Sequence, residues 1–440
     1  MSFSSISLTG GAAESGEPRL RVGVGIAVIN PFLDVPLAGY YYPRMPVGIH
    51  DNLHAKALVF DNGHDQIVLV TCDLVRLPRE AVENARQRIQ KDFGIRSDHI
   101  LITATHSHTG PQLVPEYVQK LGHHIADSVA MAQHNKQLVR LLKAVEEESS
   151  LSYNRRYLMD KDGKVETNPG FLNPNIVKAV GPIDPRLSVL TAETLQGRRI
   201  MTWVNYALHQ DTVGGDWIST DYSYYLGRLL SVFEGPDMTT VFTIGAAGDI
   251  NHWNCHLPGP QRGFDTAKRL GEVLGADVLK AYTHLSPVDS HHIQAKSSRM
   301  TLLLQNITEA DLEKADKILS VPPPPNVDFT LDHVWATKVR KIHDSKKSNI
   351  DAEVQVLTLG SLAFVAIPGE LFAKLGLQII KESPFPDTFI LELANQDIGY
   401  IPTIEAFEQG GYEPTSSVLA PGEGERIVEG VLALLRQCQK

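Results

Sequence analysis

Short apolar runs rich in β-branched residues alternate along this chain with longer amphipathic runs, and several of the short runs end on a polar side chain able to do chemistry. Arg21 to Ile29, Leu53 to Phe60, Gln66 to Cys72, Ile100 to Thr103, Leu187 to Leu195, Arg199 to Ala207 and Thr239 to Ile244 read as strands. So do Val354 to Leu359, Leu362 to Ile367 and Thr388 to Leu393. Helical spacing marks Pro78 to Phe93, Tyr222 to Phe233, Asp265 to Tyr282, Phe372 to Ser383 and Gly424 to Gln439. A further helix is expected from Asp127 or Gln137 to Glu148. Asn62-Gly63 and Gln196-Gly197 are hairpin signals. The alternation implies an α/β fold, a mixed β-sheet core with flanking helices.

The chain has 440 residues and a net charge of −10, with no Lys/Arg-rich tract, which argues against a nucleic-acid partner. Its three cysteines, Cys72, Cys255 and Cys438, are too far apart for a disulfide framework or a Cys-rich zinc module. No run is long and apolar enough to span a membrane. The first 20 residues, Ser/Gly-rich and without a basic or apolar leader pattern, read as a flexible arm. A cytoplasmic location is expected, or a secreted one if a leader was trimmed. Residues 21–440 read as one domain. The texture changes between Ser286 and Lys347, read as an insertion: Thr308 and Asp311 fit a capping box, and Pro322 to Pro325 a rigid spacer.

The strongest single stretch runs from Leu101 to Pro111. Gly110-Pro111 ends its strand, so His106 and His108 lie at the carboxyl end, where open α/β sheets place their sites. Two residues apart in extended chain, both imidazoles would point the same way. The same logic picks out Asp73, His209, Asp249, Glu370 and Tyr400 at other strand ends. His106, His209 and Glu370 can supply two imidazoles and a carboxylate, a donor set that suits a catalytic Zn²⁺ with a position left for water. Such a metal makes hydroxide available near neutral pH. His108 and Arg155 could orient a ligand or stabilise an oxyanion. Tyr400 could be a fourth ligand or a proton donor. Each residue also has a plainer reading: Glu370 capping the helix after it, Tyr400 a buried tyrosine, Asp249 an Asx-turn. Ser107 lacks the Gly-x-Ser-x-Gly elbow. The Gly245–Gly248 turn is not followed by Lys-Ser/Thr and is no phosphate loop. His123, His124, His252, His256, His291 and His292 read as surface or supporting residues. The loop Tyr40-Tyr41-Tyr42 either lines a pocket or covers the core.

In order, the motifs resemble those of the neutral/alkaline non-lysosomal ceramidase family. Thr103-Ala-Thr-His-Ser-His-Thr-Gly-Pro111 is similar to the family's Thr-His-Thr-His-Ser-Gly-Pro. Asn154-Arg155, Asn205-Tyr-Ala-Leu-His209, Ser219-Thr-Asp221, Ala247-Gly-Asp-Ile-Asn251, Pro368-Gly-Glu370, Tyr400-Ile-Pro-Thr403 and Gly411-Tyr-Glu413 follow the family's order over roughly residues 21–420. The resemblance implies a ceramidase catalytic-domain-like fold and a zinc-dependent amidohydrolase acting on N-acyl amides of the ceramide class. The metal ligands would fall on His106, His209, Glu370 and Tyr400, with His108 as the histidine that supports them and Arg155 facing substrate. Asn251 stands where the family has a serine, so a serine nucleophile does not carry over. Gln-Leu-Val after Pro111 replaces a Gly-rich run. The resemblance is to the catalytic part alone, so ceramide is one candidate substrate. An ester, lactone or sugar-derived substrate, with hydrolysis or lyase chemistry, is the alternative. A third reading is a non-catalytic ligand-binding relative.

Overall fold

The computed structural model describes residues 20–160, 163–289, 292–322 and 330–439. Most of the expected arm, residues 323–325 of the proline spacer and His291 lie outside them. Two sheets stack face to face. The larger is nine-stranded and runs in the order Thr239–Ile244, Arg199–Tyr206, Arg186–Thr194, Gln137–Glu147, Arg21–Val28, His54–Asp61, Gln66–Cys72, Ile100–Ala104, with Ser286–Pro287 paired beside Gln137–Glu147. The smaller is four-stranded: Ile293–Leu303, Asn349–Leu359, Leu362–Ala366, Asp387–Leu391.

Their facing surfaces are apolar. Phe60, Trp203 and Leu58 from the large sheet bury against Phe364, Phe389 and Leu357 from the small one. Trp203 stacks on Phe364 at 4.8 Å and on Phe389 at 5.4 Å. Helices cover both outer faces. Arg79–Phe93 and Pro115–His134 cover one half of the large sheet, and Tyr222–Glu234 and Phe264–Ala281 the other. Ala373–Glu382 and Glu423–Gln437 cover the small sheet. Each amphipathic helix thus buries its one apolar stripe on a sheet.

Within these two sheets, three pairs of neighbouring strands are parallel: Gln66–Cys72 with Ile100–Ala104, Arg199–Tyr206 with Thr239–Ile244, and Leu362–Ala366 with Asp387–Leu391. The loops leaving their carboxyl ends meet. Thr103 bridges Ala394 across the two sheets, and Asn395 exchanges hydrogen bonds with Ile102 at 2.7 and 3.1 Å.

Three local expectations change. Gln137–Glu147 is a strand, not a helix. Leu138, Leu141, Leu142 and Val145 recur at helical spacing, but nine backbone positions pair with Arg186–Thr194, and tertiary pairing overrides the pattern. The helix expected near Asp127 is Pro115–His134, begun by a proline in its first turn. Within 286–347, the strand Ile293–Leu303 pairs along its whole length with Asn349–Leu359. The excursion from the sheet is the helix pair Glu309–Leu319 and Leu331–Ser345, joined through Ala315, Ala336 and Val339. Thr308 and Asp311 form the expected capping box.

Candidate metal centre

The strand Ile100–Ala104 is buried at every position. It ends before His106, which leaves extended geometry altogether: its φ is +67°, a left-handed conformation disfavoured for a residue with a Cβ. The two histidines therefore converge through a strained turn rather than by alternation along a strand. Leu74 O holds the His106 backbone N–H at 2.9 Å. Its Nδ1 donates to Val75 O at 2.7 Å, which leaves Nε2 to face the site. His108 Nε2 lies 3.2 Å from that atom.

His209 follows the strand Arg199–Tyr206 and is 1 % exposed. Glu370 follows the strand Leu362–Ala366 and pairs through its backbone with Tyr400. Glu370 Oε2 stands 3.4 Å from His106 Nε2 and 3.3 Å from His209 Nε2. In a tetrahedral site with nitrogen and oxygen donors about 2.0–2.1 Å from the ion, neighbouring donors are roughly 3.3 Å apart. Glu370 Oε2 and both ring nitrogens of His209 are buried without a hydrogen-bond partner. Buried polar atoms of that kind call for a partner, and an ion or an ordered water supplies one. The donor set therefore fits a divalent cation. Among the described residues, His106, His108 and His209 also bring ring nitrogens within 4.8 Å of one another, so this histidine group can hold a metal ion.

The electrostatics agree with that reading. Burial pushes His209 well below its ordinary range and His108 down to about 4, so both favour the neutral, ligating form. Burial acts on Glu370 in the opposite sense, but the imidazoles of His106 and His209 outweigh it and hold the carboxylate ionised. Burial lowers His106, and the Glu370 charge more than reverses that.

Arg155 lies on the other side. Its Nε donates to Glu413 Oε1 at 2.7 Å, and its Nη2 donates to Gly248 O at 2.9 Å and to the Tyr400 hydroxyl at 3.1 Å. Burial and the Glu370 charge push the Tyr400 phenol well above its ordinary value. Gly248 is needed for the approach: a Cβ there would lie 2.4 Å from Glu370 O. The Tyr40–Tyr42 loop belongs to the site. The Tyr40 hydroxyl donates to Asp211, Tyr40 meets His108 edge-on at 5.8 Å, and the Tyr41 and Tyr412 hydroxyls are 3.0 Å apart. Tyr412 in turn packs on Tyr400 at 5.5 Å.

The sequence-derived residues His106, His108, His209, Glu370, Arg155 and Tyr400 thus gather at one place. Two partners escaped the sequence reading. Asp211 faces His108 Nδ1 at 3.8 Å and Arg262 Nη2 at 3.5 Å. Its position two residues after His209 was the available signal. Glu413 is fully buried and takes Arg155, Arg156 and Thr167; only its place in a family-like motif marked it. Asp249 is not an Asx-turn. Its carboxylate accepts Ala373 N at 2.8 Å and Asn154 Nδ2 at 2.7 Å, anchoring the helix Ala373–Glu382 beside Glu370. Ser107 is buried and donates to Ser219 O, which leaves no free nucleophile there. His252 is buried against Gln261 O at 2.7 Å.

Fold and site together define a class: a two-sheet α/β protein whose candidate metal centre is built from loops at the carboxyl ends of its strands. Among solved structures, neutral ceramidase from Pseudomonas aeruginosa matches with a TM-score of 0.73 at 17% identity, covering 95% of this chain and 75% of that one. A ceramidase complexed with C2 matches with a TM-score of 0.74 at 17% identity, covering 95% and 76%. No model of a known protein family matches the chain. By sequence, neutral ceramidase A of Dictyostelium discoideum is 25% identical over 218 residues, 44% of this chain and 29% of that protein. Neutral ceramidase B of the same organism is 29% identical over 109 residues, 23% of this chain and 15% of that protein. The matched stretch therefore spans less than a third of either relative. The chain has the neutral ceramidase fold and counts neutral ceramidases among its sequence relatives. Among the described residues, no helix is long and apolar enough to cross a membrane.

Proposed function

We propose that the chain is a zinc-dependent amidohydrolase that cleaves an N-acyl amide of the ceramide class. The observation that carries this is the convergence of two buried imidazole nitrogens on one unpartnered carboxylate oxygen, at 3.3 and 3.4 Å. The naming of its relatives as neutral ceramidases supports the amide as the scissile bond. His106, His209 and Glu370 would hold the ion, with Tyr400 either a fourth donor or, as a neutral phenol, a proton donor. Bound there, a divalent cation supplies a water of pKa near 7 and polarises a carbonyl oxygen. Arg155 fixes the Tyr400 oxygen from one side, leaving the phenol proton free to point at a developing oxyanion. His108, with the Asp211 carboxylate 3.8 Å from its Nδ1, presents Nε2 beside the same position and can pass a proton to the leaving amine.

A second reading has its own observation. Tyr40, Asp211 and Arg262 make a polar wall beside His108, with the Arg262 guanidinium 5.4 Å over Tyr40 and 5.5 Å over Trp253. Such a wall suits a polar ester, lactone or sugar-derived substrate. Metal analysis of wild type and His106→Ala tests the centre. About one zinc per chain, lost in the variant, is expected. A different metal in the wild type replaces zinc; none at all, with no activity gained on adding zinc, ends the hydrolase reading. Turnover of a set of N-acyl amides against polar esters and lactones then separates the two substrate classes.

A further inference from the structure

A cavity of about 650 Å³ is lined by the helix Tyr222–Glu234 and by residues of the strands Arg21–Val28, His54–Asp61 and Thr239–Ile244, and none of the candidate metal ligands lines it. One wall is the helix Tyr222–Glu234, where Ser223, Gly227 and Ser231 repeat every four residues and leave a shallow channel. A small-residue stripe is only a groove. Thr240, on the sheet side, makes it more. The residue is 8% exposed, and its hydroxyl is buried with no hydrogen-bond partner. The hydroxyl faces the helix: a Cβ added to Gly227 would lie 3.9 Å from Thr240 Oγ1 and 3.6 Å from Thr240 Cβ.

The groove also holds two cations without a carboxylate. Lys56 Nζ donates to Thr240 O at 3.1 Å, which leaves two of its N–H groups unused. Arg228 Nη1 donates to the Tyr224 hydroxyl at 3.2 Å. Neither has an acidic partner among the described residues. The one acid lining the groove, Asp51, is saturated: it accepts from Thr220 N and Oγ1 at 2.7 and 2.8 Å, from Ser219 Oγ at 2.6 Å and from His50 Nδ1 at 2.7 Å. Two cations without an ion-pair partner outnumber the single carboxylate of Asp51, and a net positive groove over an unsatisfied hydroxyl attracts an anion. At one end, His50 stacks on Phe264 at 4.1 Å and meets Tyr224 edge-on at 5.4 Å, an aromatic wall.

We propose that this groove binds a phosphate-bearing small molecule, with the oxyanion held by Lys56, Arg228 and the Thr240 hydroxyl. Two cations and several free N–H groups match a dianion with three acceptor oxygens better than a carboxylate. Isothermal titration of the full chain at low ionic strength tests it, with inorganic phosphate and phenyl phosphate as probes. The double variant Lys56→Met/Arg228→Met removes the charges. Gly227→Gln keeps both charges and fills the channel on a helix that gains from losing a glycine. Saturable one-to-one binding is expected in wild type, at least tenfold weaker in both variants at unchanged thermal midpoint. Tighter binding of phenyl phosphate identifies an organic ester lying on the aromatic wall; equal affinities identify free phosphate. Wild type that shows no saturable binding overturns the proposal. So does equal affinity in all three proteins, which would send the phosphate elsewhere, the metal centre included. Should Gly227→Gln fail to fold, the charge variant decides alone.

Discussion

Glu413 is fully buried, yet it anchors Arg155 on the side of the candidate metal centre opposite the histidines. Its two oxygens take Arg155 at 2.7 Å and Arg156 at 3.5 Å, and both guanidiniums are buried. Removing one partner of a buried ion pair leaves the other charge uncompensated, which costs about 3–5 kcal/mol. Glu413→Ala should lose that much in chemical denaturation, and Glu413→Gln less, because the amide oxygen keeps one bond. A Glu413→Ala variant of wild-type stability would show that Arg155 is held by other groups. Asp249 gives a second, pH-dependent prediction. Burial raises its carboxyl from 3.8 to about 6. Below about pH 4 it is protonated folded or unfolded and has no differential effect. Between about 4 and 6 the folded state keeps a proton the unfolded chain has released. Stability then falls as pH rises, by roughly 3 kcal/mol over the full interval. Asp249→Asn cannot titrate, so its stability relative to wild type should improve by about that amount from pH 4 to 6 and level off above. Denaturation curves that stay parallel across this range would remove Asp249 as the cause.

At the scale of elements, the tightest constraint is where the helix Pro115–His134 lies on the strand Arg21–Val28. A Cβ at Gly23 would stand 1.9 Å from Ala132 O, and one at Gly25 would stand 2.0 Å from Ser128 O. Backbone meets backbone there, with no flexible side chain to give way. Gly23→Ala and Gly25→Ala should each lose about 3 kcal/mol, the top of the usual range for overpacking, read as a drop in denaturation midpoint. Little or no drop would mean the helix can slide. This helix also shows where the sequence stops being legible. The short β-branched runs Gln66–Cys72, Ile100–Ala104 and Thr239–Ile244 were readable because they are buried on both faces and bounded by turn residues. Pro115–His134 was readable only in its second half, since Gly122 and the adjacent His123 and His124 interrupt its apolar period. Gln137–Glu147 was misread because its leucines fit either period and only pairing with Arg186–Thr194 decides. At the site, the histidines and Glu370 were legible because each follows a strand. Asp211 and Glu413 were not, because their partners are brought to them by folding, in the case of Glu413 from 258 residues away.

For the whole molecule, the proposed donors of the candidate metal centre are divided between the two sheets. His106 and His209 leave the large sheet, while Glu370 and its backbone partner Tyr400 belong to the small sheet's side. Apart from the apolar interface, the sheets are stitched at this end by the Thr103–Ala394 bridge and the Asn395–Ile102 bonds. An ion held by His106, His209 and Glu370 is therefore a cross-link between the two halves as well as a reactant. An ion that binds only the folded state stabilises it by about 2.7 kcal/mol when free metal exceeds Kd a hundredfold. Chelation should accordingly lower the thermal midpoint of the wild type, and returned zinc should restore it. Glu370→Gln weakens the only donor from the small sheet's side other than Tyr400, so its midpoint should respond little to either treatment. If chelation strips the metal yet leaves the wild-type midpoint unchanged, the ion is not joining the sheets and the ligand set must be redrawn within one of them. His106, His108 and His209, all from the large sheet, then become the set to test, with His108→Ala expected to lose the metal that it otherwise retains.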